Sequence, residues 1–76
     1  MTGQGAAYLR GEAAAVKKHF TQAKNGEKVL DGHGVVWTFQ RGWWIGYKGR
    51  RRIQASPMAL AKALNPDVAD LLDEVG

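Results

Sequence analysis

The chain has 76 residues, no cysteine and a net charge of +4 at pH 7. A chain of this length forms one small domain, and the lack of cysteine excludes disulfide bonds and thiolate metal sites, as is typical of a protein of the reducing cytosol. Apolar residues make up 45% of the sequence, enough for a folded chain, and no apolar run is long enough for a signal peptide or a membrane span. We therefore expect one cytoplasmic globular domain, residues 1–76, without a cofactor.

Charge is unevenly distributed along the chain. Residues 1–56 contain ten Lys or Arg residues and three Asp or Glu residues, a net charge of +7. Residues 57–76 contain one Lys residue and four Asp or Glu residues, a net charge of −3. Such asymmetry indicates a basic working surface and an acidic end that stays away from a polyanion.

A helix is predicted over residues 6–25, after a glycine-rich start, residues 1–5, that we expect to be frayed and flexible. Apolar residues recur at helical spacing along one stripe: Leu9, Ala13, Val16, Phe20 and Ala23. Gly26 suits the left-handed cap that ends many helices.

The segment after this helix holds the candidates for a metal site. Residues 27–30 suit either a short strand or an irregular link, and residues 31–34 have the composition of a turn. His33 lies in that turn, and His19 is the only other histidine. Structural zinc sites generally need four N or S ligands, so we predict no metal site and a loop histidine without a special role.

Residues 35–55 are predicted to form a three-stranded antiparallel meander, because apolar and polar residues alternate with a period of two. A three-residue first loop ending at Gly42 places Phe39 opposite Trp43, and glycine suits the left-handed last position of such a loop. A two-residue loop would instead put the apolar rows of the two strands on opposite faces.

The second loop is predicted at residues 48–50, which places Ile53 opposite Ile45. This register gives the sheet two unlike faces. The hidden face would carry Val35, Trp37, Phe39, Trp43, Ile45, Tyr47, Ile53 and Ala55. The solvent-facing side would carry Val36, Thr38, Trp44, Gly46, Arg52 and Gln54.

Two short helices are predicted over residues 57–75. Ser56 followed by Pro57 is typical of an N-cap and a first-turn proline, and residues 65–67 repeat the cap signal. The predicted fold class is a small α+β domain with the order α-β-β-β-α-α and its helices on one face of the sheet.

No motif for catalysis is present. The sequence has no nucleophile elbow, no phosphate-binding loop and no pair of catalytic carboxylates. Ser56 is the only serine, and its role as a helix cap explains it. We therefore expect a protein that is not an enzyme.

The leading hypothesis is nucleic-acid binding, with DNA favoured over RNA, through the exposed face and loops of the sheet. Lys and Arg attract phosphates, and a sheet can enter a duplex major groove. Arg52 and Gln54 are the candidates for base edges, and Trp44 is the candidate for base stacking, which favours single strands. The candidates for phosphate and sugar contacts are Arg41, Lys48, Arg50, Arg51 and, on the helix, Lys17 and Lys24.

Simpler explanations of the same residues stay open. Trp44 would be a core residue if a helix covered it. Independently of this, the simpler explanation of Arg50, Arg51 and Arg52 is a basic hairpin that serves only solubility, and that of Lys17 and Lys24 is a solvated helix face.

The Trp-rich meander followed directly by a helix, residues 36–64, resembles the AP2-type and integrase arm-binding domains. The resemblance implies a sheet that reads DNA. It is architectural and matches no diagnostic motif, and the N-terminal helix and the acidic C-terminal helix depart from it.

Two other functions are open. One is a small phage or mobile-element regulator that binds and inhibits a larger host protein machine, in the manner of anti-CRISPR proteins or transcription inhibitors. Trp44 and the arginines would then anchor a protein–protein interaction. The other is a homodimer formed through the helix with Leu71 and Leu72, or through an exposed sheet edge.

Overall fold

The structure, a computed structural model, describes the backbone of residues 2–75 and the side chains of residues 9–75. Within this part of the chain, a four-stranded antiparallel sheet with strand order β1-β2-β3-β4 packs against three helices. The elements are α1 (Thr2–Thr21), β1 (Lys28–Leu30), β2 (Val36–Gln40), β3 (Trp43–Lys48), β4 (Arg51–Ala55), α2 (Pro57–Leu64) and α3 (Ala69–Leu72). The α+β class is confirmed. The sheet has a fourth strand because residues 28–30 pair with β2.

Helix α1 lies four residues nearer the N-terminus than predicted at both ends. Residues 2–5 belong to this helix, Met1 lies outside the described residues, and the expected flexibility of residues 1–5 stays a prediction. The predicted apolar stripe is confirmed, since Leu9, Ala13, Val16, Phe20 and Ala23 all belong to the core or pack against it. Gly26 is left-handed, with φ +92°, but it lies in the turn after the helix, where its N–H donates to the carbonyl of Phe39.

The turn between β2 and β3 has two residues rather than the predicted three. Arg41 and Gly42 both have positive φ, +51° and +85°. This is typical of a type I′ turn, whose twist matches that of a hairpin. Phe39 therefore pairs with Trp44. The predicted pairing of Phe39 with Trp43 is wrong, and every side chain of β3 lies on the face opposite to the predicted one.

The turn between β3 and β4 also has two residues, Gly49 and Arg50, rather than three. Gly49 has φ +61° and Arg50 has no positive φ, the signs expected of a type II′ turn with glycine first. Ile53 consequently pairs with Gly46 and not with Ile45. This second shift cancels the first for β4, so Ile53 still packs against the core as predicted.

The hydrophobic core lies between the helices and one face of the sheet. Its buried side chains are Ala13, Phe20, Val35, Trp37, Phe39, Trp44, Leu60, Ala61, Val68 and Leu72. The Trp44 ring lies 5.1 Å from Phe39 and 5.4 Å from Phe20, measured between ring centroids. Its Nε1 donates to the carbonyl oxygen of Phe20 at 3.1 Å. Because carbonyls in the last turn of a helix lack intrahelical partners, this bond joins the sheet to the end of α1.

Gly46 provides the space into which the neighbouring strand packs. A Cβ atom at this position would lie 2.8 Å from Cγ1 of Val35 and 3.3 Å from the Trp37 ring. The Trp37 indole thus lies against the backbone of β3, where a larger residue would displace it. The covered side of β3 accordingly consists of one large residue, Trp44, followed by a glycine.

Asp31 orders the loop between β1 and β2. Its Oδ1 accepts from the backbone N–H of His33 at 2.8 Å and of Val35 at 2.9 Å. Its Oδ2 accepts from Nε1 of Trp37 at 3.0 Å. The pKa of Asp31 lies below its ordinary value. The largest cause is the hydrogen bond from Trp37, and the N–H groups of Val35 and His33 and the nearby His33 side chain lower the pKa further. This one carboxylate therefore connects the loop to the core indole.

Helix α2 begins as predicted. The Ser56 Oγ accepts from the N–H of Ala59 at 3.3 Å, and Pro57 is the first helical residue. The predicted second cap at residues 65–67 is wrong, because Asn65 instead ends α2. Its backbone N–H and its Nδ2 both donate to the carbonyl of Ala61 at 3.0 Å.

Helix α3 is therefore short and packs inward. Leu72 is fully buried, and Leu71 packs against the core. Leu72 therefore has no surface left for the predicted dimer contact, whereas a contact through the half-buried Leu71 or through a sheet edge stays a prediction. Among the residues described, no helix combines the length and the apolar character that crossing a membrane requires.

Candidate functional site

The sheet has a second face, turned away from the helices, on which side chains from all four strands form rows. Leu30 pairs with Val36, and Tyr47 pairs with Arg52. The β2–β3 register, carried two pairs beyond Thr38 and Ile45, places Val36 opposite Tyr47 and joins the two pairs into one row. We name this surface the open face. It comprises Lys28, Leu30, Val36, Thr38, Gln40, Trp43, Ile45, Tyr47, Arg52 and Gln54.

Large apolar side chains are exposed on the open face. The exposed fractions are 68% for Leu30, 59% for Tyr47, 50% for Val36 and 45% for Trp43. Single exposed apolar residues are common in small proteins, whereas a continuous group marks an interaction surface. Here the group is continuous across three neighbouring strands.

The tryptophan at this site is Trp43 and not Trp44. The predicted exposure of Trp44 is wrong, since this side chain is fully buried. Trp43, Ile45 and Tyr47, predicted to be hidden, lie on the open face instead. The physical reason is the two-residue turn at Arg41, which turns β3 over.

A depression on the open face collects three kinds of chemistry. Its lining residues are Gln40, Arg41, Trp43, Ile45, Arg52 and Gln54. The guanidinium groups can hold phosphate with paired hydrogen bonds, and the carboxamides both donate and accept. The indole and its apolar neighbour on β3 offer a surface for a flat ring. The combination suits a ligand with negative charge and unsaturated rings.

No carboxylate lies on the open face, and all seven Asp and Glu residues of the chain are in the described part. Asp31 is bonded within its loop, and the Glu27 carboxylate lies 3.9 Å from Nε2 of His19 on α1. The remaining acidic residues lie in α1, in α3 and in the segments flanking α3. The open face therefore has an uncompensated positive charge.

The ion pairs of the described side chains lie on the helical side of the molecule. They join Arg10 to Glu74 at 3.5 Å and Lys62 to Asp73 at 2.7 Å, besides the His19 contact. Within the described part of the chain, the cations of the sheet form no ion pair. These are Lys28, Arg41, Lys48, Arg50, Arg51 and Arg52.

The structure brings together part of the predicted site. Arg52 and Gln54 lie on the open face, as predicted, and Arg41 lines the same depression. Arg50 lies in the β3–β4 turn. Lys48 and Arg51 pair with each other one position beyond Tyr47 and Arg52, so strand alternation directs them to the other side of this exposed hairpin end. They line the edge of the site and not its centre.

The two predicted helical contacts are separated from each other. The Nζ of Lys17 donates to the carbonyl of Val75 at 2.6 Å, which holds this side chain among the helices. Lys24 is exposed and precedes Asn25, whose Oδ1 accepts from the N–H of Arg41 at 3.0 Å. Only Lys24 is therefore near the open face.

Comparisons of the chain with protein-family models, with curated proteins and with solved structures found no match. Any function must therefore be inferred from the residues of the open face, since function depends on a site and not on a fold class.

Proposed function

We propose that this protein binds nucleic acid through the open face and the basic hairpin end beside it. One observation carries the proposal. Exposed aromatic rings and cations that form no ion pair within the described part of the chain share a surface free of carboxylates, while the acidic residues lie in the helical layer or in loops.

Electrostatics supports a polyanionic partner. Lys and Arg side chains that displace the counterions of a phosphate backbone supply most of the non-specific affinity for nucleic acid. The acidic C-terminal segment lies against α1, as the Arg10–Glu74 pair shows, and thus away from the open face. A phosphate backbone that approaches the sheet meets positive charge without the opposing negative charge.

The side chains divide into two roles under this proposal. Arg41 and Arg52, at opposite sides of the depression, bind phosphate, and Arg50 extends the positive edge. Trp43 and Tyr47 contact bases or sugars. These groups suit the positioning of a ligand, and we propose a binding function without catalysis.

A salt-titrated binding assay with fluorescein-labelled DNA and RNA oligonucleotides tests the proposal. We expect affinity to fall steeply as salt rises, and Arg52→Ala to reduce the slope of log K against log salt by about 1. Lys62→Ala is the matched control, because it removes a cation that is paired with Asp73 on the helical side. The proposal is wrong if no oligonucleotide binds at low salt, or if the two substitutions have equal effects.

A second candidate function, the inhibition of a larger protein machine, has one observation in its favour. Leu30 and Val36 form an exposed apolar pair at the β1 edge, and such pairs are more typical of protein interfaces than of phosphate contacts. This function predicts a complex with one protein that survives nuclease treatment in a pull-down and is lost in Leu30→Asp. Arg52→Ala alone would leave that complex largely intact.

A further inference from the structure

We infer that the ligand of the open face is a single strand, with one unpaired base seated against Trp43 in the depression and another against Tyr47. The inference rests on the proposed function and narrows it to one substrate class. It follows from the spacing of the rings, the apolar centre of the face and the position of the carboxamides.

The spacing of the two rings does not match stacked bases. Trp43 and Tyr47 are four residues apart on β3, a distance of about 13 Å at about 3.3 Å per residue. Bases within one strand of a duplex are about 3.4 Å apart, and their faces are covered by their neighbours. Only a strand with unstacked bases can present one base to each ring.

The centre of the open face is unsuited to a duplex groove. Base edges in the major groove are read by polar side chains that project from the centre of the inserted element. The inner strand β3 presents Trp43, Ile45 and Tyr47, and Val36 on β2, the other inner strand, is also apolar. If polar base edges packed on these apolar side chains, the base edges would lose their hydrogen bonds to water and gain none from the protein.

The carboxamides are placed for an unpaired base edge. Gln40 pairs directly with Trp43, and Gln54 pairs directly with Ile45, so an amide lies on each side of the apolar floor. An amide can donate to and accept from the Watson–Crick edge of a base, which is free only outside a duplex. Arg41 and Arg52 line the same depression and can hold the flanking phosphates.

Charge also decides between a nucleic-acid strand and a second copy of this chain. A two-fold dimer through the open face would bring together two sets of the same cations: Lys28, Arg41 and Arg52. Without a carboxylate on the face to pair with them, these charges would repel each other. A polyanion removes the repulsion.

Tryptophan emission provides a direct readout of stacking. Trp43 is half exposed, whereas Trp37 and Trp44 are buried, so quenching by a bound base reports on Trp43. We would titrate the protein with unstructured 12-nucleotide DNA and RNA single strands and with a blunt duplex of the same length. The single strands should quench emission and bind at least about tenfold more tightly than the duplex.

Substitutions separate stacking from phosphate attraction. Trp43→Leu should abolish the quenching and weaken single-strand binding between about fivefold and about 150-fold, the range for one base–aromatic contact. Trp43→Phe should restore most of the affinity because it keeps a ring. Leu30→Ala removes an exposed apolar side chain without a ring from the same face, and it should weaken binding less than Trp43→Leu does. Circular dichroism verifies that each variant is folded.

The outcomes distinguish this inference from the proposed function. If the duplex binds as tightly as the single strands and Trp43→Leu changes neither affinity, while Arg52→Ala weakens both, the stacking inference is overturned and nucleic-acid binding stands. If no nucleic acid binds at low salt, both are wrong. Equal losses in Trp43→Leu and Leu30→Ala also overturn the stacking inference.

Discussion

Two tryptophans that are neighbours in the sequence have opposite roles. Trp44 is fully buried, and its indole N–H is satisfied by the carbonyl of Phe20. Trp43 is 45% exposed and lines a depression beside Arg41. The covered face of β3 thus holds the sheet to the helices, whereas the open face presents the same chemical group to solvent. Exposure, set by register, decides which tryptophan is structural and which is available for binding.

The largest expected difference in stability is between the alanine substitutions of the two tryptophans. Trp44→Ala should cost about 3–5 kcal/mol because it leaves a cavity between two aromatic rings, out of a total stability of roughly 4–11 kcal/mol for a domain of this length. Trp43→Ala should cost about 1 kcal/mol or less, as for most surface changes. Urea denaturation followed by circular dichroism measures both. Similar losses would contradict the assignment of the two faces.

Adding one methyl group at Gly46 should have the next largest effect. Gly46→Ala places a Cβ atom 2.8 Å from Val35, and such overpacking typically costs about 1–3 kcal/mol. Gly11→Ala is the control, because Gly11 is exposed within α1 and a Cβ atom there would contact nothing within 4 Å. This change should stabilise the fold by about 0.5–1 kcal/mol. Thermal denaturation measures the change in melting temperature of each variant. A change of the same sign in both variants would contradict the close packing at Gly46.

A change at Arg41 should separate stability from binding. Arg41 has φ +51° in a type I′ turn, a conformation that asparagine adopts more readily. Arg41→Asn should therefore raise stability, by about 1 kcal/mol or less, while it weakens nucleic-acid binding through loss of a cation. Arg41→Lys, which keeps the charge but not the paired hydrogen bonds of a guanidinium, should leave stability nearly unchanged and weaken binding less than Arg41→Asn does. A loss of stability in Arg41→Asn would contradict the two-residue turn.

The smallest effect should be seen in acid. The folded-state pKa of Asp31 lies below its ordinary value of 3.8. Its contribution to stability is therefore complete above the unfolded-state pKa and is lost as pH falls through the folded-state pKa. Asp31→Ala should flatten the decline of the urea midpoint in this acid range, and Trp37→Phe should reduce it because the indole N–H donor is gone. An unchanged decline in both variants would mean that other groups cause it.

Several features were predictable because they depend on neighbours in the sequence. The apolar stripe of α1 and the Ser56 cap of α2 follow from local spacing and side-chain chemistry. The covered row of β2 follows from the alternation of large apolar residues, Trp37 and Phe39 among them. The site was predicted in part, since Arg52 lies on the open face, but Trp43 and Tyr47 were assigned to the core.

The turn lengths were the source of the error. Gly42 occupies the last position of either a two-residue or a three-residue loop, so its left-handed conformation does not distinguish the two. The number of apolar residues then favoured burial of the β3 row with Ile45, because the other row of β3 contains Gly46. The second turn offered a better signal, because Gly49 suits the first position of a two-residue type II′ turn.

The sequence by itself determined the class of the fold, the helix stripes, the cap of α2 and the basic character of the sheet, because each depends on residues close together in the chain. Tertiary structure alone decided the orientation of β3. Trp44 has a hydrogen-bond partner on α1, and the Trp37 ring needs the space above Gly46. Both contacts join residues distant in sequence or on different strands. The local sequence suits a two-residue and a three-residue turn between β2 and β3 almost equally well. These two contacts favour the two-residue turn, and the turn decides which residues of β3 face solvent.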